Sequence, residues 1–311
     1  MGIKYRIGVM PGPWPAGPEG RELFWRFVDL AEHSDIDSVW FSDRLSSPLA
    51  LPEPITAMAA IAARTRRLKF GPSVLIAPFR SPVVLARELA MIDYLSEGRL
   101  LPAFGVGVEQ EREFRAAGVP FKERGRRTDE AIAIMRRCWA EDEVTMAGEF
   151  WQLEAVTVRP QPVQRPLPVW IGGASDAAMR RAGRLGDGWI PSFITPERFR
   201  AGVDATQGFA AAAGRAVPAD HFGALVYYCF APEPARARAM ATPFIPRGRV
   251  DDATLERCAA FGPPALLSER LEEYVRGGGS KFIVRPMCPP DALLDQLAQL
   301  AAEVVPAFHR R

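Results

Sequence analysis

Short apolar runs alternate with longer amphipathic stretches along the chain. The runs lie near Tyr5 to Met10, Ser38 to Ser42, Phe70 to Ile76, Leu100 to Gly105, Pro168 to Ile171, Trp189 to Ser192, Phe222 to Phe230 and Phe282 to Arg285, and they predict eight strands. Between them the apolar positions return at helical spacing. Leu23, Phe27, Leu30 and Ala31 share one face, Ile55, Met58, Ala59 and Ala62 another, and Leu85, Leu89 and Ile92 a third. The last segment does the same with Leu293, Leu294, Leu297, Leu300 and Val304. Strands that each hand over to a helix are parallel strands with crossover connections.

An open doubly wound sheet would carry a nucleotide fingerprint after its first strand, but there the chain reads Pro11-Gly12-Pro13-Trp14-Pro15. The partial match Gly105-Val106-Gly107-Val108-Glu109-Gln110 lacks the third glycine and follows the fourth strand. The pattern therefore predicts an α/β fold, a closed TIM (β/α)8 barrel with insertions in the βα loops, and residues 1–311 as a single domain. Two stretches break the rhythm. Val144 to Arg165, with Gly148, Phe150, Trp151 and prolines, reads as a hairpin and an extended arm outside the barrel. Ala231 to Pro264 is long for a connector, as lids, binding loops and disordered segments are.

Composition narrows the function classes. The 39 basic and 37 acidic residues leave a net charge of +2, too little for a field that holds nucleic acid or an anionic membrane. Arg124 to Arg127 is the most basic run and reads as a solvated loop just ahead of a helix. Cys138, Cys229, Cys258 and Cys288 are widely spaced, which argues against a zinc site or a disulfide framework and for a reducing compartment. With no long apolar run and no apolar leader before Lys4-Tyr5-Arg6, the expectation is a cytoplasmic protein without a metal.

In a TIM barrel the chemistry sits where the strands run out into βα loops. The second strand ends in Asp43-Arg44, which are either site residues or a mutual ion pair on the barrel rim. Pro72 inside the third strand cannot donate to the sheet and predicts a bulge, a seat for a ring. After the fifth strand, Gly172-Gly173-Ala174-Ser175 leads into a helix. Glycines admit close approach and the free N–H groups of the helix start form an anion site, although Ser175 or Asp176 acting as a plain helix cap explains the same residues. Trp14, Phe41, Phe79 and Phe104 are candidate apolar lining, or packing.

Several of these segments, in order and over nearly the whole chain, resemble the luciferase-like flavin and coenzyme F420 oxidoreductases. They are Gly105-Val106-Gly107 with Glu113-Phe114, Ala117-Gly118-Val119-Pro120-Phe121, Arg124-Gly125-Arg126-Arg127-Thr128-Asp129-Glu130, Pro168-Val169-Trp170-Ile171-Gly172-Gly173 and Gly186-Asp187-Gly188-Trp189. The resemblance implies a cis peptide between Ser73 and Val74 behind the coenzyme ring, a coenzyme phosphate on Gly172, Gly173, Ala174 and Ser175, and Gly107 and Val108 near the ring or ribityl chain. It implies coenzyme F420, with FMN as the alternative, a small-molecule substrate, and a homodimer. The partner implied is a flavin or F420 reductase, and the FMN alternative is a monooxygenase fed by the former; a non-catalytic flavin-binding protein is a third reading. Many relatives carry Asp-His where this chain has Asp43-Arg44, and arginine cannot give up its proton near neutral pH. Asp43 and Glu109 are then the candidate acid/base groups, and Arg44 a candidate anion contact.

Overall fold

The computed structural model describes residues 3–12, 15–47, 49–108, 110–246, 248 and 250–309. Its strands are β1 (Arg6–Val9), β2 (Ser38–Phe41), β3 (Lys69–Pro72), β4 (Leu75–Ile76), β5 (Ala103–Gly105), β6 (Val144–Ala147), β7 (Gln152–Val156), β8 (Trp170–Gly172), β9 (Gly188–Ile190), β10 (Gly223–Phe230), β11 (Ala259–Gly262) and β12 (Lys281–Pro286). Its helices are α1 (Pro18–Glu32), α2 (Pro54–Arg64), α3 (Pro82–Leu95), α4 (Glu111–Ala116), α5 (Arg124–Ala140), α6 (Asp176–Leu185), α7 (Pro196–Ala212), α8 (Pro234–Ala241), α9 (Asp252–Cys258), α10 (Pro264–Arg276) and α11 (Leu293–Gln299). After α11 a wide turn, Leu300–Val304, leads into α12 (Val305–His309).

Two parallel sheets, β11-β10-β12-β1-β2-β3 and β4-β5-β8-β9, make the barrel wall. Bridges from Phe70 to Leu100, and from Trp189 to Phe222 and Ser192 to Leu225, join them into a ring. The eight staves are those expected, the third being split into β3 and β4 where Pro72 breaks the run. β6 and β7 pair antiparallel as the expected hairpin. The segment after β10 is not a bare loop: it holds α8, α9 and β11, which pairs with Tyr227 to Phe230 of β10.

Side-chain alternation fills the barrel from both ends of each strand. Trp40 plugs the interior, its indole N–H donating to Ser38 Oγ at 2.9 Å, and a Cβ on Gly8 or Gly71 would collide with it. At the N-terminal end Asp37 receives Lys281 at 3.1 Å and Lys69 at 3.2 Å, with Arg6 at 3.5 Å. Burial on its own would raise the Asp37 pKa, but the two ammonium groups outweigh it and hold the carboxyl well below its usual range. Outside, Leu293, Leu297, Leu300 and Val304 are buried as their spacing predicts. No helix among the described residues is long and apolar enough to cross a membrane, and all four cysteines are buried free thiols.

Candidate active site

The break in the third stave shapes the barrel mouth. Proline supplies no N–H at position 72, and Ser73 N–H takes the next carbonyl of β2, that of Phe41, at 2.7 Å. The Ser73–Val74 peptide is cis, as the resemblance implied. Val74 then turns its side chain inward between two bare backbones: a Cβ on Gly105 would stand 2.5 Å from one of its methyls, and a Cβ on Gly172 2.6 Å from the other. The result is an apolar seat, Val74 flanked by Gly105 and Gly172, at the ends of three adjacent staves. Gly107 packs against Phe114 and Ile76 just beyond it, followed by half-buried Val108.

From Gly172 the chain passes directly to a helix start. Gly173 sits at φ +105, a conformation that side-chain-bearing residues rarely adopt, and its carbonyl accepts the Trp189 indole N–H at 2.9 Å. Ser175 is the N-cap of α6 and accepts from Ala178 N–H at 3.3 Å, so the capping role is real. Capping satisfies one N–H and leaves the others of the first turn to an incoming anion. The turn is therefore compatible with both readings. Since any side chain at position 173 is strained by its φ, a charge at Ala174 is a cleaner probe of this site than bulk at Gly173.

The second strand's end needs correcting. Asp43 does not pair with Arg44: its carboxylate binds Arg80 with both oxygens, at 2.5 and 3.1 Å, and Ile76 N–H at 2.8 Å. Arg80 goes on to Glu53 at 3.1 Å. Asp43 is thus a tie between β2 and β4 with its acceptor sites in use. Arg44 instead faces Glu113, 3.7 Å away and 2% exposed, whose Oε2 receives Leu45 N–H at 3.3 Å. Arg44 Nη1 and Glu113 Oε1 are both buried without a hydrogen-bond partner, so this pair keeps unused polar capacity. Glu109 lies outside the described residues, as does Trp14.

Other expectations resolve structurally. Arg124 to Arg127 is the first turn of α5 rather than a solvated loop: Arg124 lies 3.7 Å over Phe121, Arg127 lies 4.3 Å over Phe150, and Arg126 pairs with Glu149. Arg126 and Arg127 fasten the β6–β7 hairpin, whose turn N–H groups at Phe150 and Trp151 bind Glu130 at 3.0 Å. Phe41 packs against Phe24 of α1, Phe104 is fully buried, and Phe79 stacks edge-on with Phe114. His221 Nδ1 meets the Asp187 carbonyl at 2.7 Å and His309 Nε2 accepts Ile7 N–H at 3.0 Å, both at the N-terminal end of the barrel. Among the described residues no cluster of His, Cys, Asp or Glu could hold a metal. Sequence reasoning passed over three side chains of this mouth: Arg80, Glu113 and Arg285. Glu113 was visible only as part of a matching motif, and Arg285 only as the last residue of the final apolar run.

Comparison with known proteins adds a direct line. The model of the luciferase-like monooxygenase family matches residues 9–281. The F420-dependent glucose-6-phosphate dehydrogenase of Amycolatopsis mediterranei is 36% identical over 193 residues, 60% of this chain and 56% of that protein. The FMNH(2)-dependent dimethylsulfone monooxygenase of Pseudomonas putida is 36% identical over 169 residues, 53% of this chain and 46% of that protein. The chain thus spans about half the length of the curated relatives it matches. In fold, the solved structure of monooxygenase RslO1 from Streptomyces bottropensis superposes with a TM-score of 0.83 at 24% identity, covering 97% of this chain and 99% of that one.

Proposed function

Because this chain belongs to the luciferase-like monooxygenase family, we propose that it is an oxidoreductase that uses coenzyme F420 to move a hydride to or from a small organic substrate. The observation that carries the reading is the continuous path from an apolar seat to a helix start: Val74 between Gly105 and Gly172, then Gly173, Ala174 and Ser175 at the N-terminus of α6. The missing Cβ atoms at 105 and 172 let Val74 settle between the strand ends, and a planar ring can rest on the apolar face so formed; a phosphate fits the turn because its N–H groups point outward from a positive helix end. Ser73 and Val74 support the ring, Gly107 and Val108 border it, and Gly172 to Ser175 hold the phosphate. When bound, the coenzyme supplies two-electron chemistry at C5 of its ring.

The remaining roles follow from the rim. Asp43 positions the β4 backbone through Ile76 N–H and Arg80. Arg44, oriented by Glu113, donates hydrogen bonds to a substrate or coenzyme oxygen without releasing a proton. That leaves Glu109, just past Gly107, as the group that carries the proton. FMN is the second reading, favoured by the equal 36% identity to an FMNH(2)-dependent monooxygenase; it would require a reductase partner and oxygen. The four buried free thiols support a reducing, cytoplasmic setting. A homodimer is supported by α3, which leaves Val84, Met91 and Leu95 exposed on one face with Tyr94 beside them.

Fluorescence titration of the protein with F420 and with FMN, each oxidised and reduced, tests the reading. F420 is expected to bind, with FMN weaker by about tenfold or more, and Ala174→Asp is expected to weaken F420 by a similar factor at unchanged Tm, since a carboxylate there repels the phosphate. Preference for reduced FMN, with oxygen consumption, would replace the hydride reading by the monooxygenase one. Affinity untouched by Ala174→Asp would remove the phosphate site.

A further inference from the structure

The mouth holds one charge that the coenzyme path does not use. Arg285 stands next to the end of β12, in register with Tyr227 of β10. The neighbouring Tyr228 sends its hydroxyl to the Gln296 carbonyl of α11, outside the barrel, so Tyr227 and Arg285 point to the inside. The β10 stave lies across the ring from the split third stave that carries Val74. Arg285 Nε is shut off from solvent and has no hydrogen-bond partner, while the residue as a whole keeps partial exposure. Among the described residues no carboxylate pairs with it: Asp43 is committed to Arg80, and Glu113 faces Arg44. A guanidinium does not shed its proton, and a charge held this deep without a counter-ion is costly.

Next to it stands an aromatic plate, whose Tyr227 side chain is itself hydrogen-bonded with the guanidinium and leaves the Nε edge open. Phe193 stacks on Tyr227 with ring centroids 4.4 Å apart and planes 19° from parallel. Phe193 has φ +50, an uncommon conformation for a bulky residue, and it directly follows Ser192, which bridges to Leu225 of β10. The backbone thus bends to set a ring on Tyr227, the register partner of Arg285.

Building on the oxidoreductase reading above, we propose that Arg285 is a substrate clamp. Its free Nε edge takes a carboxylate, and the apolar body of that substrate lies against Phe193 and Tyr227. The substrate class is a small organic carboxylate with a flat or apolar body. The planar fork matches two carboxylate oxygens in a way that a neutral amide or an alcohol does not.

The test is a calorimetric titration of the full chain, with and without F420, using benzoate and its neutral isostere benzamide. Wild type is expected to favour benzoate by about tenfold or more, and Arg285→Gln to lose that preference while binding F420 as before. Arg285→Lys, with charge but no fork, should recover part of it. Equal binding of the two probes by wild type, no heat from either, or a preference that survives Arg285→Gln would each overturn the clamp. So would loss of F420 affinity in Arg285→Gln, since the guanidinium would then serve the coenzyme. Benzoate preference in a wild type that ignores F420 would sink the coenzyme reading and leave the clamp standing.

Discussion

At the scale of single residues, the buried charges divide into those with a partner and those without. Asp37 has three cations around it, and its role is structural. Replacing it by Asn leaves Lys69 and Lys281 without their counter-charge, and loss of one member of a buried pair costs about 3–5 kcal/mol. Urea denaturation of Asp37→Asn is expected to show a loss of that order, and a loss under about 1 kcal/mol would mean that the cluster is effectively solvated. The sign of the pH dependence follows from its depressed pKa. A carboxyl that is more acidic folded than unfolded adds stability above the unfolded value, near 4, and that contribution drains away as pH falls towards the folded value. Wild type should therefore weaken below about pH 4 more steeply than Asp37→Asn.

At the scale of elements, the third stave shows what the residues disclose and what they hide. Pro72 in a strand run was enough to predict a break, because its missing N–H is a covalent fact. The pairing of Asp43 with Arg80 instead of Arg44 was not legible: neighbours in sequence on a strand end point in different directions, and which guanidinium reaches a carboxylate depends on how the next loop folds back. The seat itself is a packing statement that can be tested. Gly172→Ala forces a methyl into Val74 and should cost about 1–3 kcal/mol together with F420 affinity. Adding Val74→Ala should restore part of the stability, a coupling that a double-mutant cycle measures. Strict additivity of the two changes would mean that the two side chains do not share the space.

At the scale of the whole molecule, the eightfold repeat was readable because alternation of strand and helix is written in hydrophobic period. The site was readable only in part. Glycines at strand ends and the helix start after β8 carry local signals, whereas Glu113 and Arg285 matter through burial, which a sequence does not display. The exposed apolar stripe on α3 belongs to this scale too. Light scattering should find a dimer, and Leu95→Glu combined with Met91→Glu should yield monomers; a monomeric wild type would remove the homodimer.

The excursion between β10 and β12 closes on itself. Ala231 N–H bonds the Gly262 carbonyl at 3.2 Å, so the chain leaves the wall at the top of β10 and comes back to the same point at the top of β11. It is a parenthesis in the barrel, with both brackets nailed to one strand. What lies between them can lengthen, shrink or be exchanged without re-registering any stave, which frees this part of the mouth to diverge while the side of the barrel that carries Val74 and the start of α6 stays as it is.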